Sequence, residues 1–285
     1  MKILIALDFS PASETALHEA AARPWPAGSS IEILHVAESS EASQADAIKA
    51  LLQNAAVRCS SRGLQAIQSV AHGDAKDEIL NRARRSRADF ILVGSHNKSG
   101  LARMFLGSVS GSVVRNAPCS VVVARTAASP DTPRRILLAT DGFDPATHAA
   151  RSIAARPWPT GTEVRVLSAV ELPMTGFQAA FEPGIGDAQT VETLRVEGMR
   201  HAQNAVRDAE LILTAAGLKT SESVSVLVET PKQIIMDEAE KWVADLIVVG
   251  AHGRSGIDRI LLGSVSEAVA KGAICSVEVI RQPVA

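Results

Sequence analysis

The six residues AARPWP stand at positions 21–26 and again, unchanged, at 154–159. The agreement spreads well beyond them. With the second copy laid over the first at an offset of 133, Asp8 meets Asp141, Gly28 meets Gly161, and IEILHVAE (Ile31–Glu38) meets VRVLSAVE (Val164–Glu171). At an offset of 156, the stretch from Asp74 to Ser110, which closes on LGSVS, lies over the stretch from Thr230 to Ser266, which closes on the same letters. The chain is a module written twice, with 23 residues added to the second copy after its second strand. A period of about half the chain argues for two similar domains and against a solenoid. We assign them residues 1–127 and 128–285, with the addition around 171–193. The small, proline-bearing TAASPDTPRR (Thr126–Arg135) is expected to be the exposed hinge between them.

Each copy alternates apolar runs with helical stretches. In the first, KILIAL, IEILHV, AIQSVA, DFILVG and CSVVVA read as strands, and the segments near 11–22, 41–61, 75–86 and 108–116 read as helices. The strand order recurs as RILLAT, VRVLSA, ESVSVLV, ADLIVVG and CSVEVI. Strands apolar on both faces fit a parallel sheet covered by helices, and strict β–α alternation implies right-handed crossovers and an open doubly wound α/β sheet, Rossmann-like, in each half. Ser10 suits an N-cap and Pro11 the first helical position; Asp144 and Pro145 are expected to take those parts one residue later in the second copy. In AARPWP two prolines end the first helix and turn the chain toward the second strand, with Trp25 and Trp158 packing on the sheet.

Composition excludes several classes. With 46% hydrophobic and 21% charged residues and a net charge of −2, the chain is globular and advertises neither nucleic acid nor an anionic membrane. The basic run NRARRSR (Asn81–Arg87) falls at a helix end, where the dipole favours cations, and its counterpart reads DEAEKWV. Nucleic acid is therefore not an expected partner. No apolar run reaches the roughly 18 residues of a membrane span. Cys59, Cys119 and Cys275 are odd in number and scattered, which predicts buried thiols, no disulfide framework and a cytoplasmic protein.

Doubly wound sheets bind ligands at the carboxyl ends of their strands. The first strand of each copy ends in an aspartate, Asp8 or Asp141, able to cap backbone N–H groups or to accept from a ligand. The fourth strand of the second copy runs into GAHGRSGIDRILLGSVS (Gly250–Ser266). Gly250 and Gly253 are expected to allow positive φ and close approach of a ligand, and Gly263 and Ser264 to begin a helix whose free N–H groups favour a phosphate. Arg254 and Arg259 add positive charge. No GxxxxGK[ST] loop is present, and the GIG at 184–186 follows no strand. His96 and His252 occupy matched loop positions without a second ligand at a metal-binding spacing, so no metal site is predicted.

The spacing of Gly250, Gly253, Gly263 and Ser264, together with the strand-one aspartate and the closing CSVEVI strand, resembles the ATP-binding motif of universal stress proteins, whose sheet type is that of the adenine nucleotide α-hydrolase-like group. The likeness runs over both halves, so the chain resembles a tandem member. It implies adenine nucleotide as ligand, ATP with or without Mg2+. In the second half Ala139, Thr140 and Asp141 would neighbour adenine and ribose, with Ala169 beside the base. Val249, Gly250, Gly253, Gly263, Ser264, Val265 and Ser266 would surround ribose and phosphates. The first-half counterparts are Ala6, Leu7, Asp8, Val36, Val93, Gly94, Gly107, Ser108, Val109 and Ser110, with Asn97 where the motif has its second glycine. Asn tolerates a left-handed backbone but fills space that glycine leaves open.

Three functions follow as alternatives: a nucleotide-dependent switch or binding module with at most slow hydrolysis, a nucleotide-hydrolysing enzyme, or a scaffold without nucleotide. No residue stands out as a general base on a phosphate, so no catalytic residue is assigned. The addition PMTGFQAAFEPGIGDAQ, with Met174, Phe177 and Phe181, reads as a lid over the nucleotide or a pad for a partner. The resemblance also implies that CSVVVA and CSVEVI pair within one chain, making the protein its own dimer and covering two sheet edges. Association of two chains as a homodimer is left open.

Overall fold

A computed structural model describes residues 1–37, 44–95, 106–126, 129–171, 188–227, 230–251 and 262–282. In the first half the strands are β1 (Lys2–Ala6), β2 (Ser30–Ala37), β3 (Gln65–His72), β4 (Phe90–Gly94) and β5 (Ser120–Ala124). The helices between them are α1 (Pro11–Ala22), α2 (Ala45–Ser60), α3 (Ala75–Ser86) and α4 (Ser108–Asn116). The second half repeats the order with β6 (Arg135–Ala139), α5 (Asp144–Ala154), β7 (Glu163–Glu171), α6 (Ala188–Ala215), β8 (Lys219–Leu227), α7 (Pro231–Lys241), β9 (Leu246–Gly250), α8 (Ser264–Gly272) and β10 (Ser276–Ile280).

All ten strands form one sheet in the order β3-β2-β1-β4-β5-β10-β9-β6-β7-β8. Within each half every ladder is parallel, and only β5 and β10 run antiparallel, with Val122 opposite Glu278. The expected pairing of CSVVVA with CSVEVI is thus present. Because direction reverses at that junction, the carboxyl ends of the two sets of strands lie at opposite edges of the sheet. The apolar layer holding Ile5, Leu17, Ile136 and Ile153 lies on one face, and that holding Leu4, Ile79, Ile247 and Val269 on the other. Each layer draws on both halves, so the core is shared across the junction.

The helix ends follow the sequence chemistry with one correction. Ser10 accepts from Ser13 N at 3.2 Å as the N-cap of α1. In α5 the N-cap is Phe143, without a side-chain hydrogen bond, and Asp144 is already helical. The helix therefore starts in the same register as α1, not one residue later. Pro145 still fits, because the first helical N–H groups have no intrahelical acceptor, and Asp144 faces the positive end of the dipole instead of capping it. The part of the expected second helix at 41–43 lies outside the described residues; α2 begins at Ala45.

The recurrence of AARPWP has a concrete physical reason at the junction. Trp25 Nε1 donates to Ala20 O and Trp158 Nε1 to Ile153 O, both at 2.8 Å, which pins each indole under the helix it follows. Trp25 also meets Phe90 of β4 edge to face, 5.4 Å between ring centroids. The arginine before each PWP, Arg23 or Arg156, reaches the buried Glu278 carboxylate; Arg156 Nη1 donates at 2.9 Å and Arg23 Nη1 bonds the same oxygen. Arg23 Nε also donates to Glu19 at 3.0 Å, and Arg134 Nη1 to the same carboxylate at 2.8 Å. The indoles lie beside the guanidiniums, with Arg156 5.1 Å from the Trp158 ring centroid, an arrangement favoured by the ring quadrupole. Burial alone would raise the Glu278 carboxyl; Arg156 and Arg23 outweigh it and hold the group below its ordinary value. Glu19 is lowered in the same way, burial opposing and Arg23 and Arg134 prevailing.

On the opposite face the lock is reciprocal. Arg125, just past β5, donates to Ala270 O and, at 3.2 Å, to Lys271 O at the end of α8. Its counterpart Arg281 donates to Val114 O and Arg115 O at 3.0 Å at the end of α4. Each half thus satisfies the last carbonyls of the other half's final helix, where a cation also meets the negative end of the dipole. Burial pulls the Arg125 guanidinium down to about 10.

Candidate functional site

In each half the strand order turns back between β1 and β4, or β6 and β9, which places a crevice at those carboxyl ends. Ladder register brings the predicted residues level. Ala6 pairs with Leu34, two residues before Val36, and Ile5 pairs with Leu92, next to Val93. Ala139 pairs with both Leu167, two residues before Ala169, and Val249. Val93 and Val249 are buried, so these two valines offer a ligand backbone only.

Beyond the first strand the chain turns sharply. Asp8 Oδ1 accepts from Ser10 N at 2.9 Å and Asp141 Oδ1 from Phe143 N at 3.1 Å, so in both halves the aspartate organises the turn. Thr140 Oγ1 adds a bond from Gly142 N at 3.2 Å.

The fourth strand ends at Gly94 or Gly250, and here the expected reason for glycine needs correction. Neither has a positive φ. A Cβ on Gly94 would lie 2.0 Å from Ala12 O, and one on Gly250 would lie 2.8 Å from the carbonyl carbon of Pro145. These glycines allow the strand to run against the first turn of α1 or α5, and that close approach of helix backbone is itself enough to require them. Gly107 and Gly263 likewise have ordinary φ, −57° and −65°, and serve as N-caps of α4 and α8.

Those two helices are then fixed to the strand ends. Ser110 Oγ donates to Gly94 O and Ser266 Oγ to Gly250 O, each at 2.6 Å. Gly263 N donates to Ala251 O at 2.8 Å, and its own carbonyl takes the first helical bond, from Glu267 N. The N–H groups of Ser108, Val109 and Ser110, and of Ser264, Val265 and Ser266, have no intrahelical acceptor and open toward the crevice end of the helix. The serines at 110 and 266 therefore spend their hydroxyls on a backbone carbonyl and would meet an anion through N–H groups, with the dipole adding to the attraction. Gly253 and Asn97, with His96, His252, Arg254 and Arg259, lie outside the described residues, as does the addition around Phe177. Among the described residues no group of three metal-ligating side chains gathers.

Two histidines that the sequence reading passed over stand at the strand-one turns. His35 Nδ1 lies 2.9 Å from Leu7 O, with its ring 5.7 Å from that of Phe9. His201 Nε2 lies 2.7 Å from Asp141 O, with its ring 5.5 Å from that of Phe143. A histidine inside the otherwise apolar IEILHV was a readable sign for the first. The second stands where the first copy has Ala47, at the offset of 154 set by the matching helix ends at Gly63–Leu64 and Gly217–Leu218, so the repeat shows no paired histidine there.

With this geometry in view, comparisons with known proteins place the chain. The family model described as "Universal stress protein family" matches it twice, over residues 1–125 and 132–281. A universal stress protein of Methanocaldococcus jannaschii is 34% identical over 152 residues, 53% of this chain and 83% of that protein. One of Mycobacterium bovis is 32% identical over 212 residues, 69% of this chain; the chain spans 63% of that relative's length. Among solved structures, a universal stress protein of Archaeoglobus fulgidus superposes with a TM-score of 0.68 at 22% identity, over 98% of both chains, a likeness of fold.

Proposed function

The chain belongs to the universal stress protein family, and from that premise we propose that it is a tandem adenine-nucleotide-binding protein in which occupancy, more than turnover, is the output. The observation that carries this reading is the repeated build of the crevice: a helix opening at Gly107 or Gly263 and tied by a serine hydroxyl to the end of the fourth strand. It stands across from an aspartate-organised turn at the end of the first strand. A triphosphate would lie at the helix N-terminus and the nucleoside against the strand-one turn and the end of the second strand. ATP, with or without Mg2+, is the proposed ligand.

Binding without efficient hydrolysis is supported by the use of the aspartates. Asp8 and Asp141 each give a carboxylate oxygen to the turn; with the ligand proposed above they would stand at its nucleoside end, away from the γ-phosphate and from an attacking water. The second half keeps the glycine motif entire, whereas Asn97 departs from it in the first, so the second site is proposed as the tighter. The protein is proposed to work in the cytoplasm, with its two halves as a built-in dimer.

Mass spectrometry of ligand released from the purified protein tests the reading, with Gly253→Val as comparison. Adenine nucleotide is expected from the parent protein and clearly less from the variant. Multiple turnover of ATP would move the reading to an enzyme. Absence of nucleotide, with no binding in millimolar ATP, would leave a scaffold.

A further inference from the structure

The two strand-one turns are held by unrelated residues, and the difference identifies a residue no repeat pattern reveals. In the first half the carbonyl of Asp8 accepts from Ser13 Oγ at 2.6 Å, a local bond from the first turn of α1. Leu7 O is held by His35 of β2, whose ring meets Phe9. In the second half each of these is replaced. Ala146 stands for Ser13, Ser168 for His35 and Gly142 for Phe9 at the offset of 133. The Ser13 hydroxyl and the His35 imidazole are gone from their homologous positions.

A new donor comes from elsewhere. Helix α6 is seated directly on the turn, through residues of the length that α2 also has. Gly142 has φ +80°, and a Cβ there would lie 2.9 Å from Ala205 Cβ and 3.4 Å from His201 Nε2. From this helix His201 reaches Asp141 O at 2.7 Å and meets the Phe143 ring. A carbonyl only accepts, so Nε2 carries the proton and donates. In the first half Phe9 stands in the place of Gly142 and is 49% exposed.

We propose that His201 is a positioning residue for the second site: it holds the Asp141–Phe143 turn in the shape that receives the nucleoside, a task that Ser13 and His35 share in the first half. The inference rests on the nucleotide reading for its effect on binding, and on geometry alone for its effect on the turn. It makes the two sites unequal in how they are built, with the second turn held from a helix position at which the first copy has Ala47.

Photolabelling of the full-length protein with 8-azido-ATP, followed by peptide mapping, reads the halves separately. The variants are His201→Ala, His201→Gln, whose amide can donate from nearly the same place, and Ser13→Ala as the first-half counterpart. The loss of one positioning hydrogen bond corresponds to about a five- to tenfold weakening. His201→Ala is expected to weaken labelling of second-half peptides by that factor and leave the first half unchanged, His201→Gln to restore it to within about twofold, and Ser13→Ala to act on the first half alone. Hydrogen exchange at the Gly142 and Phe143 amides is the readout independent of ligand, expected to quicken about tenfold in His201→Ala and not in His201→Gln. If the parent protein labels in both halves and His201→Ala matches it, the positioning role is overturned. If the parent labels in neither, the nucleotide reading falls; unchanged exchange in His201→Ala would then overturn the inference too, and quickened exchange would sustain its geometric part.

Discussion

Replacing Glu278 by glutamine removes one charge from the cluster beneath the junction and leaves its volume unchanged. The cluster holds three guanidiniums, Arg23, Arg134 and Arg156, and two carboxylates, Glu19 and Glu278, none more than 5% exposed. Its net charge is therefore +1, and the substitution makes it +2 around a single carboxylate. Arg156 would lose its carboxylate partner and be left buried beside two other cations, which already depress its pKa alongside the larger effect of burial. Removing one member of a buried pair costs about 3–5 kcal/mol, a large share of a typical total of about 5–15 kcal/mol. Urea unfolding at pH 7 followed by circular dichroism is the assay. The acid limb gives a second reading. Because the folded Glu278 and Glu19 carboxyls lie below their ordinary values, between those values and about 4.3 the unfolded chain binds protons that the native chain does not. Their stabilisation is complete above that window and is lost as pH falls through it, so the gap between parent and variant should narrow below about pH 4. A loss under about 1 kcal/mol at pH 7, or a gap that persists unchanged into acid, would refute the reading that this carboxylate compensates the buried guanidiniums.

Three other outcomes follow from the same geometry. Gly94→Ala should cost about 3 kcal/mol or more and Gly250→Ala about 1–2 kcal/mol in urea unfolding, since the added methyl meets backbone at 2.0 Å in one case and 2.8 Å in the other; equal costs would contradict this reading of the strand–helix contact. Moving the carboxylate across the seam in Val122→Glu combined with Glu278→Val should recover at least half of the loss seen in Glu278→Val alone, because the two positions face each other in register. Burial raises Cys59 and Cys275 to about 11 and Cys119 to about 12, so a thiol-reactive disulfide reagent at pH 8 should modify none of the three in the native protein and all three in urea.

Much of this architecture is written in local patterns. Runs such as FILVG and SVVVA, bounded by turns, specify buried parallel strands, and the repeat fixes their order twice over. Ser10 before Pro11 marks a helix start that the structure keeps. The capping role assigned to Asp144 failed because the repeat register outweighed the propensity of one residue: Phe143 occupies the cap position at which Ser10 stands. Gly94 and Gly250 were readable as close-approach sites, but a sequence does not say what approaches; helix backbone and ligand leave the same letter. The cluster at the seam joins residues 255 apart, Arg23 and Glu278, beyond any spacing rule, although a glutamate inside the apolar SVEVI is the anomaly that marks it. His201 was illegible for a different reason: its partner is a carbonyl, which every residue has.

The divergence between the two copies explains what fusion makes possible. In a pair of identical modules joined through their last strands, the position of Glu278 would lie opposite its own copy, with Cβ atoms about 4.5–5.5 Å apart. Two glutamates there would repel in a buried seam, and two valines would leave both AARPWP arginines without this acceptor. One chain escapes the choice, because its two copies can differ: valine at 122 and glutamate at 278 give one carboxylate to two arginines. The reciprocal caps by Arg125 and Arg281 need no such asymmetry, since each acts on the other half's helix, and they have stayed alike. Symmetric contacts persist where a twofold allows them, and the asymmetries traced above sit at the axis and at the turn beneath α6. The same rule accounts for why the two turns can be held by different residues, Ser13 and His35 in one half and His201 in the other: the two crevices lie at opposite sheet edges, so the build of one imposes nothing on the other.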